Sequence, residues 1–226
     1  MQKNALIIMT KAPEPGQVKT RLVPPLTFAE AADLARALLA DQLKSVAQFG
    51  GAELFIAFTP DEARGYFENF ATPGFSCFAQ KGGDLGARMS NAFRLVFEFG
   101  FGNVVLIGSD LPALPLTTFE RAYASLEKPD RDLVFGPSED GGYYLVGMGR
   151  PIFDIFQDIA WSRNDVLARS VEKLAEIGVN YELLNYRYDI DTLEDLRRLQ
   201  SDCEHHHLGM NNTLTLLRQL KQRGIV

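Results

Sequence analysis

A three-layer α/β/α sandwich around a mostly parallel, mixed sheet is predicted by three observations. Apolar runs of strand length alternate with helix-length amphipathic stretches through the first half of the chain, the pattern of right-handed βαβ units. The first run, Ala5-Leu-Ile-Ile-Met9, empties into Lys11-Ala-Pro-Glu-Pro-Gly-Gln-Val-Lys19-Thr-Arg21-Leu22, a bent and cationic loop. The 226 residues are 46% hydrophobic, enough for one sizeable core, so residues 1–226 read as a single domain.

The elements follow in order. After Pro24-Pro25, Thr27 and Glu30 form a capping-box pattern before an amphipathic helix that runs to about Phe49 and closes at Gly50-Gly51. Glu53 to Phe58 alternates as a strand. Thr59-Pro60-Asp61-Glu62 then combines an N-cap, a proline at N1 and a glutamate at N3, which predicts a short helix. Ser76 to Gln80 is a third strand, Lys81-Gly-Gly-Asp84 a loop, and Leu85 to Phe99 a helix by its apolar spacing. Val104 to Ile107 is a fourth strand. Leu133 to Phe135 and Tyr143 to Val146 read as strands on either side of turn residues 136–142, an antiparallel excursion. Helices fit Asp165 to Ile177, Leu193 to Leu199 after a Thr192 cap, and Thr213 to Arg223 after Asn212.

Composition narrows the function. A formal charge of -6 and a pI near 5.2 argue against a broad nucleic-acid-binding face, whereas a local basic pocket on an acidic protein suits a small anion. No window approaches the roughly 18 uninterrupted apolar residues of a membrane span, and the first residues lack the pattern of a signal peptide, so a cytoplasmic location is expected. Cys77 and Cys203 form no C-x-x-C pattern and fit reduced thiols.

The chemistry gathers at strand ends. Lys11, Lys19 and Arg21 follow the first strand, where open α/β sheets place ligands, and they suit a diphosphate. Gly16-Gln-Val-Lys19-Thr20 lacks the glycine that a Walker loop places before its lysine, and no G-x-G-x-x-G follows. Side-chain charge therefore carries the phosphate, with Arg21 as a bidentate grip and Lys19 as a point charge. The fourth strand ends in Gly108-Ser-Asp110-Leu-Pro112, and in a doubly wound order it lies beside the first. Asp110 then becomes a ligand for Mg²⁺ or Mn²⁺, with a second carboxylate from Asp189 or, preferably, Asp191. His205-His206-His207 on a helix do not face one ligand and read as exposed polar residues. Within Ser138-Glu139-Asp140-Gly141-Gly142-Tyr143, Asp140 is a candidate general base, and Glu139, Gly141 and Gly142 candidate acceptor contacts. Asp84 and Arg88 flank a glycine-rich turn that suits a base or ribose, and Trp161-Ser162 an acceptor wall.

Together, Lys11-Ala-Pro-x-Pro-Gly-x-Val-Lys-Thr-Arg-Leu22, Gly83-Asp-Leu-Gly86, Gly108-Ser-Asp-Leu-Pro112, Glu139-Asp-Gly-Gly-Tyr-Tyr-Leu-Val-Gly147, Trp161-Ser162 and Asp189-x-Asp-Thr-x-x-Asp-Leu196 resemble one bacterial family. It is the radical-SAM/selenodomain-associated glycosyltransferases, linked to arsenosugar biosynthesis, and the resemblance spans residues 4 to about 200. It implies the nucleotide-diphospho-sugar transferase (GT-A) fold, with Asp110 and Asp191 at the metal positions of related nucleotidyltransferases.

The resemblance implies a glycosyl transferase, and with the residue chemistry above the expectation is a nucleotide-sugar donor, a small acceptor and a catalytic set of Asp140, Lys19 and Arg21. Lys11, Gly16, Lys19, Arg21, Asp84 and Arg88 would bind nucleotide, and Glu139, Asp140, Gly141, Gly142 and Trp161 would bind acceptor. One departure keeps a second reading open. Glycosyltransferases of this fold carry Asp-x-Asp, and Ser109-Asp110-Leu111-Pro112 has a single aspartate. Gly-Ser-Asp-Leu-Pro also resembles 2-phospholactate and molybdenum-cofactor guanylyltransferases and sugar-acid cytidylyltransferases, which release pyrophosphate from a nucleoside triphosphate. A non-catalytic nucleotide-binding protein is the third reading.

Overall fold

The computed structural model describes residues 3–71, 73–150, 153–161, 163–206 and 208–226. In chain order the elements are β1 (Asn4–Lys11), α1 (Phe28–Val46), β2 (Glu53–Thr59), α2 (Arg64–Phe70), β3 (Phe75–Ala79), α3 (Leu85–Glu98) and β4 (Asn103–Gly108). There follow α4 (Leu116–Leu126), β5 (Leu133–Pro137), β6 (Tyr143–Gly149), α5 (Val166–Glu176), β7 (Tyr181–Leu183), α6 (Leu193–His206) and α7 (Asn211–Gln222). One sheet of order β3-β2-β1-β4-β6-β5-β7 holds all seven strands. Only β6 runs antiparallel to its neighbours, β4 and β5, which is the antiparallel excursion read from the sequence.

Central strand β1 is buried on both faces because its side chains alternate between two cores. Leu6 and Ile8 pack with Leu39 and Leu43 of α1, Phe67 of α2 and Phe119 of α4. Ala5, Ile7 and Met9 pack with Met89, Phe93 and Val96 of α3 and Leu174 of α5. These are the two helical layers of the predicted sandwich. A third core lies beyond them, where Leu34 and Leu38 of α1 meet Leu196, Leu199, Leu217 and Leu220 of α6 and α7. Leu22 belongs to it, so the end of the cationic loop is anchored by the C-terminal helices.

Local signals match closely where a side chain caps a helix. Thr27 Oγ1 accepts from Glu30 N and Glu30 returns the bond, completing the box at α1. Thr192 and Asp195 do the same at α6. Two predicted caps are corrected. Thr59 is the last ladder residue of β2, opposite Lys11, and Pro60 leads into a 3₁₀ turn with no side-chain cap. Asn212 does not cap α7; its N–H and amide donate to buried Asp41 of α1, which also accepts from Thr213 N–H. A carboxylate from a distant helix thus satisfies the α7 N-terminus and complements its dipole. Helix α4, absent from the sequence reading, buries Phe119, Ala122, Tyr123 and Leu126 at helical spacing. Among the described residues no helix is long and apolar enough to cross a membrane.

Candidate active site

Parallel strands β1 and β4 are neighbours, so the cationic loop after β1 and Ser109-Asp110 after β4 leave the same C-terminal edge. That edge is held by side-chain amides. Gln80 Nε2 donates to the carbonyls of Thr10 (3.0 Å) and Ala57 (2.8 Å), tying together the ends of β1, β2 and β3. From α1, buried Gln42 donates to the Gly108 carbonyl at 3.0 Å and fixes the residue from which the Asp110 loop departs. Ile190 N–H donates to the Asp110 carbonyl at 2.9 Å, which brings the Asp189-Ile-Asp191 segment alongside.

Two cations and two carboxylates meet there. Lys19 Nζ lies 3.0 Å from Asp110 Oδ1 and 3.4 Å from Asp191 Oδ1, and its side chain is only 2% exposed. Arg21 Nη1 takes the other Asp191 oxygen at 3.0 Å. Lys19 is left-handed, φ 49°, a conformation uncommon for a residue with a Cβ. The turn aims a lysine stem inward while Arg21, 71% exposed, stays at the surface.

The loop between β5 and β6 forms the opposite wall. Asp140 Oδ1 accepts from Gly142 N–H at 2.9 Å, closing a tight turn. Ser138 Oγ donates to Asp189 Oδ2. Burial raises the Asp189 carboxyl to about 6, with the nearby Asp140 and Asp110 charges adding to the rise and the Ser138 bond and Lys19 opposing it.

These walls enclose a cavity of about 500 Å³, lined on its polar side by Arg21, Asp110, Asp140, Asp189 and Asp191. Its apolar side is Leu85, Met89, Tyr143, Trp161 and Val166. Trp161 meets Tyr143 edge-on and lies over Gly86, where a Cβ would come within 2.7 Å of the indole. Glycine at the start of α3 therefore lets the indole reach the cavity.

The structure brings together Arg21, Asp110, Asp140, Gly142, Trp161 and Asp191 around one space, with Lys19 beneath them. Other predicted site residues stand apart. Lys11 Nζ bonds to Gln17, Asp84 caps α3 through Ala87 N–H, and Arg88 Nε donates to the Gly82 carbonyl. Gly16, at φ 78°, turns the loop near Phe28. These four flank the β1–β3 end of the same sheet edge, and Asp84 also lines a neighbouring cavity that shares Trp161. Glu139 is corrected as an acceptor contact: Arg198 grips it bidentately at 2.7 and 3.0 Å, and it lines a different cavity with Tyr188. That hydrogen bond also holds its carboxyl below the usual range. Gly141 is a backbone hinge pressed on Asn164 rather than a lining residue. Ser162 and His207 lie outside the described residues. The sequence reading missed the apolar wall of Leu85, Met89 and Tyr143; the first two sit one turn apart on α3, a spacing that signals a shared face.

The raised Asp189 carboxyl has a measurable consequence for the metal-free protein. Because its folded value exceeds the unfolded one, ionising Asp189 costs stability progressively from about pH 4 to about pH 6. Asp189→Asn removes that loss. In chelator-containing buffer its stability relative to the parent is expected to improve by about 2 kcal/mol between pH 4 and pH 7, read from denaturant midpoints. A pH-independent difference would refute the buried-acid assignment.

The donor set suits a hard divalent ion. Two carboxylate oxygens from separate loops, the one after β4 and the one before α6, already converge on one cation, and Mg²⁺ characteristically takes one or two carboxylates plus phosphate oxygens and water. No group of three or more His, Cys, Asp or Glu side chains able to hold a metal exists among the described residues, so ligand oxygens would complete the shell.

Comparisons agree with this architecture. A protein from Desulfovibrio desulfuricans G20, provisionally named a nucleotide-diphospho-sugar transferase, superposes with a TM-score of 0.91 at 34% identity, covering 98% of this chain and 96% of that one. A cytidylyltransferase from Leptospira borgpetersenii shares the fold at TM-score 0.62 and 15% identity, over 100% and 97% of the two chains. Rv0371c of Mycobacterium tuberculosis H37Rv, solved in complex with manganese, does so at 0.52 and 20%, over 88% and 97%. No curated protein matches the sequence. The DUF2064 family, described as an uncharacterized protein conserved in bacteria, matches residues 42–163, more than half of the chain, and this protein belongs to that family.

Proposed function

We propose that the chain is a single-domain, metal-dependent transferase that binds a nucleotide-diphospho-sugar and passes the glycosyl group to a small acceptor. The observation that carries this reading is the Lys19–Asp110–Asp191–Arg21 array at the β1/β4 edge, beside a cavity with a carboxylate and an aromatic wall. Arg21 and Lys19 would hold the diphosphate. Asp110 and Asp191 would hold Mg²⁺ or Mn²⁺, which supplies charge stabilisation to the departing nucleoside diphosphate. The nucleotide would extend across the strand ends toward Lys11, Gly16, Asp84 and Arg88. Asp140, oriented by Gly142 N–H, would accept the proton of the acceptor hydroxyl, and Trp161 would seat the acceptor's apolar face. With these roles the expected location is the cytoplasm, where nucleotide-sugars are made.

The single aspartate at Ser109-Asp110-Leu111 favours a second reading, nucleotidyl transfer from a triphosphate with release of pyrophosphate. Its metal pair would again be Asp110 and Asp191, from the loops after β4 and before α6. Thermal stability against nucleoside triphosphates, diphosphates and nucleotide-sugars, with and without Mg²⁺ or Mn²⁺, separates the two. A ligand at a hundred times its Kd adds about 2.7 kcal/mol. Metal-dependent stabilisation by a nucleotide-sugar is the expected result. Selective stabilisation by one triphosphate would replace it with nucleotidyl transfer, and silence across the panel would overturn both.

A further inference from the structure

The geometry points to Lys19 as an exchangeable counter-ion that couples divalent-metal binding to phosphate binding, an inference that rests on the metal and diphosphate reading of the cavity. The two cations meant for phosphate and the two carboxylates meant for metal are spent on each other. Lys19 Nζ is shared between Asp110 Oδ1 and Asp191 Oδ1, and Arg21 occupies the second Asp191 oxygen. Neither ligand can be bound at full strength while that array is intact.

The ammonium stands where carboxylates from the loop after β4 and the loop before α6 converge, and a divalent ion would draw on the same two oxygens. An ion arriving alone would take both of the carboxylates that a nearly buried ammonium is paired with and leave it beside a dication, a costly arrangement. A phosphate arriving alone would draw Lys19 and Arg21 away and leave Asp110 and Asp191 facing each other. When both arrive, Lys19 gives up its carboxylates and swings its point charge on a flexible stem to phosphate, and every charge is matched. Each ligand therefore tightens the other by the same factor. The left-handed backbone at Lys19 fits this account, because it directs the stem to the junction of the two subsites.

Lys19→Met tests the exchange without any nucleotide. The probes are Mn²⁺ alone, followed by the resonance of free Mn²⁺ and by quenching of Trp161, the single tryptophan of the chain and part of the cavity wall, and inorganic pyrophosphate alone. Expected are Mn²⁺ binding at least about tenfold tighter than in the parent, because a repelling charge is gone and both carboxylates remain, and pyrophosphate binding at least about tenfold weaker. Mn²⁺ affinity that is unchanged or weaker would overturn the exchange and leave Lys19 as an organiser of the carboxylates.

The parent protein gives an independent readout should Lys19→Met not fold. Amine acylation at Lys19, resolved by mass spectrometry against the exposed lysines, is expected to speed up on adding Mn²⁺ and to slow again when pyrophosphate follows. Bound Mn²⁺ with unchanged Lys19 acylation would overturn the exchange while leaving the metal site standing. Absence of Mn²⁺ binding to either protein, with or without pyrophosphate, would instead remove the metal reading and the exchange together.

Discussion

Alanine at Asp110 is expected to lower turnover by about a hundredfold or more, close to 2.7 kcal/mol of barrier, while leaving the fold intact. The two effects separate because of where the side chain sits. Asp110 is 62% exposed, so its removal leaves no cavity, and nearly buried Lys19 keeps Asp191 as a partner. Stability should stay within about 0.5 kcal/mol of the parent. What disappears is one of two oxygens that converge on a cation, hence the charge that would offset a leaving diphosphate. Arg21→Ala should match this loss, since its guanidinium is also exposed and is anchored on the same Asp191. Arg21→Lys should recover only a fraction, because a point charge cannot reproduce a bidentate grip. Steady-state kinetics with the donor found by thermal shift, together with unfolding midpoints, measure both sides. Full activity in both alanine variants would overturn the site.

The readability of this site followed from strand ends. An apolar run with a charged exit is visible in sequence, and a doubly wound order places β1 beside β4, so Lys19, Arg21 and Asp110 could be brought together without coordinates, whereas Asp191 was reached only as the preferred of two carboxylates. Three things were not legible. Glu139 and Asp140 are neighbours in sequence, but the turn points one to Arg198 and the other to the cavity, and no local pattern says which. The α7 cap comes from Asp41, 171 residues away, because a buried helix end takes whatever acceptor tertiary packing supplies. The mutual pairing of Lys19 with both carboxylates depends on a left-handed backbone that only the folded loop reveals. Helix α4 was different: both its apolar spacing and the proline at its start, Pro115, were present in the sequence.

Gly141→Ala is expected to damage the site from behind, with a stability loss of about 2–4 kcal/mol and activity falling with the fraction of correctly seated loop. At Gly141 φ is 90°, a region that residues with a Cβ rarely adopt, and an added Cβ would lie 1.9 Å from the Asn164 carbonyl oxygen. Neither neighbour can easily yield. Gly141 N–H donates to Ser138 and its carbonyl accepts from Leu167 N–H, so the turn is fastened both to its own strand end and to the start of α5. Displacing it would carry Ser138 away from Asp189 and tilt Asp140 off its Gly142 anchor, disturbing two carboxylates that never touch the new methyl group. Gly142→Ala is the control. Its Cβ would meet only Asp140 Oδ1 at 3.2 Å, and no positive φ opposes it, so about 1 kcal/mol or less is expected. Unfolding midpoints and Trp161 emission distinguish the pair: a large loss confined to Gly141 shows that this glycine serves backbone geometry, whereas equal losses would show that the loop as a whole tolerates no added bulk.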